Sequence, residues 1–219
     1  MTSQINTESG PYSDHARAEQ LSHIADAISL GRPLAGVFLA DQIKNTDDYH
    51  TWPMFGAHAA IAIGDMVDGR LKRKAMRMSS DIPDRPMLDD LTDKAYFYEI
   101  VPALRSHEHQ AGNHISSWIL GKVSEVNFVR DVPITALRVM ASEKGIKVNA
   151  GGLGKAKTFI GNIGVGIMLS PPGKLKPVKA IALTLMAANA LASAASGALY
   201  AKRFTREMRL KNIHNRRVY

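Results

Sequence analysis

The chain has 219 residues, no cysteine and a formal net charge of +8. The absence of cysteine excludes a disulfide framework, thiol catalysis and thiolate metal sites. The basic balance points to a polyanionic partner of one of three kinds: nucleic acid, an anionic lipid surface or a phosphorylated substrate.

The mean hydropathy of −0.13 averages polar ends against several apolar, Gly/Ala/Met-rich stretches. Residues 1–14 read as a disordered tail, and Met1 to Gln20 is too polar for a cleavable signal peptide. Ala16 to Ile28 predicts an amphipathic helix with Leu21, Ile24, Ala25 and Ile28 on one face. That face suits either a protein core or a membrane surface. Apolar runs follow at Pro33 to Ile43, Pro53 to Gly64, Ala95 to Leu104, Ile115 to Val129 and Lys157 to Leu169. The fourth is interrupted by Lys122, Glu125 and Asn127. Between the second and third, Ser79 to Pro86 holds two prolines and reads as a loop.

The sixth run decides the class. Ala180 to Ala201 carries no charge and is long enough to cross a hydrocarbon core of roughly 30 Å. Its Ala, Ser and Gly residues suit close helix packing in lipid. The shorter runs make sense as spans if their polar residues face a shared interior. The sequence therefore predicts an all-α integral membrane bundle of about six transmembrane helices, with an N-terminal amphipathic helix. One membrane domain covers 15–202, and a basic tail covers 203–219. Lys202, Arg203, Arg206, Arg209, Lys211, Arg216 and Arg217 place that tail in the cytoplasm by the positive-inside rule. The tail lacks interleaved aromatics, so nucleic acid is not an expected partner. Trp52 and Trp118 read as interface anchors.

Two acid pairs stand out at the cytoplasmic ends of the second and third spans. Asp65 and Asp68 are at i, i+3, and Asp89 and Asp93 at i, i+4. On helices each pair shares one face. Four acids brought together call for hard divalent cations such as Mg²⁺, Mn²⁺ or Ca²⁺. His107, His109 and His114 read as loop histidines rather than a second metal site.

Asp65, Asp68, Gly69, Arg73, Asp89 and Asp93 match the D-x-x-D-G-x-x-A-R and G-x-x-x-D-x-x-x-D signature, and the segment resembles the CDP-alcohol phosphatidyltransferases. A second segment is similar to the phosphatidylglycerophosphate synthase branch of that family. It comprises Arg130-Asp131, Ala136-Leu137-Arg138, Glu143-Lys144-Gly145 and Gly154-Lys155-Ala156-Lys157-Thr158. Arg32 sits where the family's first span carries an arginine. Lys72 and Arg85 replace a family Ala and Gly, Asp131 replaces Glu, and the spacer from Lys74 to Asp84 is longer than usual.

The resemblance implies an enzyme that transfers a phosphatidyl group from CDP-diacylglycerol to glycerol 3-phosphate, with CMP leaving. Asp65, Asp68, Asp89 and Asp93 would hold Mg²⁺ or Mn²⁺, and Asp93 would be the catalytic base. Asp68, Gly69 and Arg73 would bind the CDP moiety. Arg130, Arg138, Lys155 and Lys157 would bind the acceptor phosphate. It also implies a homodimer in contact with membrane lipids, in the cytoplasmic (inner) membrane, with its active site facing the cytoplasm. The same chemistry on another acceptor such as inositol phosphate, or a non-catalytic membrane scaffold, are the alternative readings.

Overall fold

The computed structural model describes residues 11–81, 86–143 and 152–217; within its helices the side chains of 11–13, 86–90, 93, 142–143, 152–153, 155 and 210–217 are outside the described set. Among the described residues every regular element is helical. They are α1 (Pro11–Asn45), α2 (Trp52–Met78), α3 (Pro86–Gln110), α4 (His114–Glu143), α5 (Gly152–Leu169) and α6 (Lys176–Arg217), with a 3₁₀ turn at Pro171–Lys174. One helix among them, over Lys176–Arg209, is long and apolar enough to cross a membrane by itself. Ala156–Leu169 is a shorter apolar helix.

The chain forms two compact units. One holds Met1–Asp41 and Gly56–Ile100, the other Gln42–Phe55 and Val101–Tyr219. In the first unit, α1 buries a single stripe at helical spacing: Ala18, Ala25, Ser29, Arg32 and Leu39. The amphipathic segment and the first apolar run are one helix rather than two. Pro33 lies inside α1 without ending it. A proline forfeits one backbone bond, here to the carbonyl of Ser29, and neighbouring packing can hold the helix through that gap. Pro102 and Pro133 are likewise accommodated inside α3 and α4. Tyr96 and Ile100 of α3 and Ala75 of α2 complete this core.

In the second unit, α6 packs on α4 and α5. A Cβ added at Gly164 would lie 2.7 Å from Met186 Cγ and 3.1 Å from the carbonyl of Ala182, so α5 and α6 approach as closely as a missing side chain allows. Ile134 and Ala141 of α4 meet Tyr200 and Phe204 of α6 in an apolar cluster. α3 runs on to Gln110, so His107 and His109, expected in a loop, are helical. It ends at Gly112 (φ 74°), with the Asn113 amide donating to the Glu108 carbonyl at 2.8 Å. That pair of features is a Schellman stop. The segment Thr46 to Thr51 is tied to this end of the unit. Tyr49 donates its hydroxyl to the buried Glu108, which also receives Lys179 Nζ at 2.8 Å, and Lys174 pairs with Asp48.

Candidate active site

In the first unit, antiparallel runs of α1 and α2 face each other through a ladder of polar residues. Asp26, Ser29 and Arg32 share one face of α1 because they recur every three residues. Asp65, Asp68 and Lys72 form the matching face of α2. Arg32 donates through one terminal nitrogen to Asp65 and through the other to Asp68 at 2.8 Å. Ser29 donates its hydroxyl to the same Asp68 Oδ2 at 2.7 Å. Further along, Lys72 pairs with Asp26 at 3.1 Å.

The first expected acid pair is thus brought together. Arg32 and Asp68 are both buried, at 5 % and 3 % exposure, while the Asp65 side chain keeps 35 %. Two ionised carboxylates this close repel unless a positive charge lies between them. The guanidinium supplies it, and its planar fork fits two separate acceptors where an ammonium would fit one. The donor set is hard carboxylate oxygen on one helix face, which fits Mg²⁺ or Mn²⁺. Asp89 and Asp93 lie in the first turns of α3, with side chains outside the described residues. Arg85 falls outside them altogether. Among the described residues no three acids or histidines gather at metal-binding distance. Gly69 follows Asp68 directly, and a Cβ there would meet little but the Arg73 guanidinium at 3.4 Å. Arg73 itself is exposed.

The second unit carries a buried basic network. Arg130 donates to Asp131, and Lys157 Nζ donates to the same carboxylate oxygen at 3.1 Å. Two cations share one carboxylate here, with the Arg130 and Lys157 side chains 8 % and 12 % exposed. Polar groups of α6 surround them. Lys157 Nζ reaches Ser193 Oγ at 3.3 Å, Arg130 reaches Ser196 Oγ at 3.2 Å, and Asn189 Nδ2 donates to the Lys157 carbonyl at 2.6 Å. Asn127 closes the set by donating to Asn189 Oδ1 at 2.9 Å. Gly197 makes room for this arrangement, since a Cβ there would stand 2.7 Å from Arg130 Cγ. Arg138 lies 5.7 Å over the Tyr200 ring, a cation–π contact one helical stretch away. The side chain of Lys155 is outside the described residues.

The structure therefore joins Asp65 with Asp68, and Arg130 with Lys157, and holds Arg138 on an aromatic face. Ser29, Asn127, Asn189, Ser193 and Ser196 were not expected at either place. A signal for the last three was present. Asn189, Ser193 and Ser196 recur at i, i+4 and i+7 on an otherwise apolar span, the mark of one polar face rather than of general small-residue packing. The histidines behave as structural groups: His107 Nε2 bonds the Thr46 carbonyl at 3.0 Å, and His109 packs edge-on against His114.

No individual curated protein and no solved structure matches this chain. The model of the CDP-alcohol phosphatidyltransferase family matches residues 22–195, which takes in the acid ladder, Arg130, Asp131 and Lys157 of the basic network, and the first half of α6. Members of the family are membrane-associated and generally depend on a divalent metal. The chain belongs to the CDP-alcohol phosphatidyltransferase family and is a phosphotransferase that moves a substituted phosphate group from a CDP-linked alcohol to an acceptor alcohol.

Proposed function

We propose that the enzyme makes phosphatidylglycerol phosphate from CDP-diacylglycerol and glycerol 3-phosphate. The observation that carries this reading is the buried cationic network of Arg130 and Lys157. Two cations gathered largely out of water on one carboxylate are costly unless they serve a further anion, and a phosphorylated acceptor supplies one. The Arg130 to Lys157 segment also matches the phosphatidylglycerophosphate synthase pattern more closely than the acid signature alone requires.

In this reading Asp65, Asp68, Asp89 and Asp93 hold Mg²⁺ or Mn²⁺. When bound, the cation neutralises charge developing on the donor pyrophosphate. Asp68, Gly69 and Arg73 take the CDP moiety: the glycine permits close backbone approach and the arginine offers a fork to phosphate. Asp93 accepts the proton of the acceptor hydroxyl. The oxygen thus freed forms its bond to the phosphorus bearing the diacylglycerol, and the bond to CMP breaks. Arg130, Arg138, Lys155 and Lys157 bind the acceptor phosphate.

The same reading makes the chain a six-span protein of the cytoplasmic (inner) membrane, with 15–202 as its membrane domain and 203–219 as a basic cytoplasmic tail. It functions as a homodimer. Exposed Trp52 and Trp118 support interface anchoring, and the uncharged middle of α6 supports spanning. Incubating the purified protein in lipid vesicles with CDP-diacylglycerol, Mn²⁺ and a panel of polyol phosphates tests it. The expected product is phosphatidylglycerol phosphate; a product formed from inositol phosphate alone would assign the enzyme to another acceptor.

A further inference from the structure

We propose that Arg32 is an internal countercation of the acid motif, which grips Asp65 and Asp68 in the metal-free protein and gives up their oxygens when a divalent ion binds. The inference rests on the reading of Asp65 and Asp68 as metal ligands.

Three observations carry it. First, Asp68 Oδ2 accepts hydrogen bonds from both Arg32, at 2.8 Å, and Ser29, at 2.7 Å. A small divalent ion ligates oxygen at about 2.0–2.2 Å, so it cannot share that lone-pair space with a guanidinium of like charge. Second, Arg32 bridges Asp65 and Asp68 at once. The group that would yield is therefore the one that neutralises the whole pair. Third, the helix bearing Arg32 is anchored around it. On the N-terminal side Lys72 pairs with Asp26 and Ser29 is fully buried one turn away; on the C-terminal side Leu39 is buried two turns on. Pro33 removes the backbone bond to the Ser29 carbonyl beside it. The exchange is then a side-chain movement at an anchored backbone, with no helix displaced.

The energetic sense is twofold. Without a cation, buried Asp68 beside the Asp65 carboxylate would be strongly destabilising if Arg32 were absent. With one, a guanidinium left within a few ångströms of a divalent ion repels it. Arg32 therefore stabilises the metal-free fold at the expense of metal affinity, and sets the ion concentration at which the site loads.

Mn²⁺ binding to the full chain in detergent, without either substrate, provides the test by calorimetry and thermal unfolding. Arg32→Gln is expected to bind Mn²⁺ at least about tenfold more tightly than the unmodified chain. Its metal-free melting temperature should fall, and Mn²⁺ should restore more of it than it adds to the unmodified chain. Arg32→Lys keeps the charge but loses the fork, so it should bind Mn²⁺ more tightly by a smaller factor. This variant serves if Arg32→Gln does not fold. Unchanged or weaker Mn²⁺ binding in these variants overturns the inference. Asp68→Asn separates the two readings. If it binds Mn²⁺ as the unmodified chain does, the metal-ligand reading itself fails. If it loses Mn²⁺ while the Arg32 variants show no tightening, only the role given to Arg32 fails.

Discussion

Asn189 of α6 donates its amide to the backbone carbonyl of Lys157 on α5 at 2.6 Å. The bond is to main chain, so it fixes where the lysine's helix sits against α6, while Ser193 and Asp131 fix where its ammonium points. A residue within the membrane-crossing stretch of α6 thereby positions a cation proposed to bind the acceptor phosphate.

Asn189→Leu keeps similar bulk but loses both the bond to Lys157 and the bond from Asn127. Steady-state kinetics should show KM for glycerol 3-phosphate rising about tenfold, equivalent to ~1.4 kcal/mol, with kcat changed far less. A loss confined to kcat would assign Asn189 to the chemical step rather than to acceptor positioning.

Gly164 is required for the approach of α5 to α6. Gly164→Ala places a methyl 2.7 Å from Met186 Cγ and 3.1 Å from a backbone carbonyl. The side chain of Met186 can turn aside, but the Ala182 carbonyl cannot. A destabilisation of about 1–3 kcal/mol follows, read as a lower melting temperature in detergent. Gly154→Ala, with nothing within 4 Å of the added Cβ, should leave stability within about 0.5 kcal/mol of the unmodified chain.

Acid should weaken the second unit in two stages, through groups at the Thr46 to Thr51 segment and the end of α3. Burial pushes the His50 imidazole below its ordinary 6.5, and the Lys179 charge adds to this against the opposing bond to the Met168 carbonyl. The folded state resists a proton that the unfolded chain takes up, so stability falls as pH drops through 6.5. Burial raises the Glu108 carboxyl, but its bonds from Lys179 and Tyr49 outweigh that and hold it below its ordinary 4.5. Its contribution is complete above 4.5 and is lost as pH falls further. Melting temperatures measured from pH 8 to pH 3 should show both declines. His50→Gln should remove the first. Glu108→Gln should remove the second and cost about 3–5 kcal/mol at neutral pH, because Lys179 is left without its carboxylate.

The helical class and the acid motif were legible in the sequence because both depend on local spacing. Asp65 and Asp68 share a face wherever that stretch is helical. The uncharged run of α6 declares itself by length. The merging of the amphipathic segment with the first apolar run was not legible, because Pro33 ordinarily marks a break and only packing keeps α1 continuous through it. Ser29 and Asp26 were equally hidden. Each is unremarkable in its own helix, and each acquires its role from a partner about forty residues away. Arg130 and Lys157 were singled out by pattern, yet the residues that hold them, Ser193 and Ser196, looked like packing residues of a span. The periodic trace they leave on α6, with Asn189 at i, i+4 and i+7, does not say which distant helix they bond.

The central claim is phosphatidyl transfer at the Asp65 to Asp93 motif, and CMP release tests it most directly. With CDP-diacylglycerol, glycerol 3-phosphate and Mn²⁺ or Mg²⁺, the unmodified protein should release CMP. Chelation should stop it, and Asp93→Asn should lower the rate by at least about a hundredfold through loss of the general base. Absence of CMP release with every acceptor and metal tried, or an Asp93→Asn variant as active as the unmodified chain, would contradict the account.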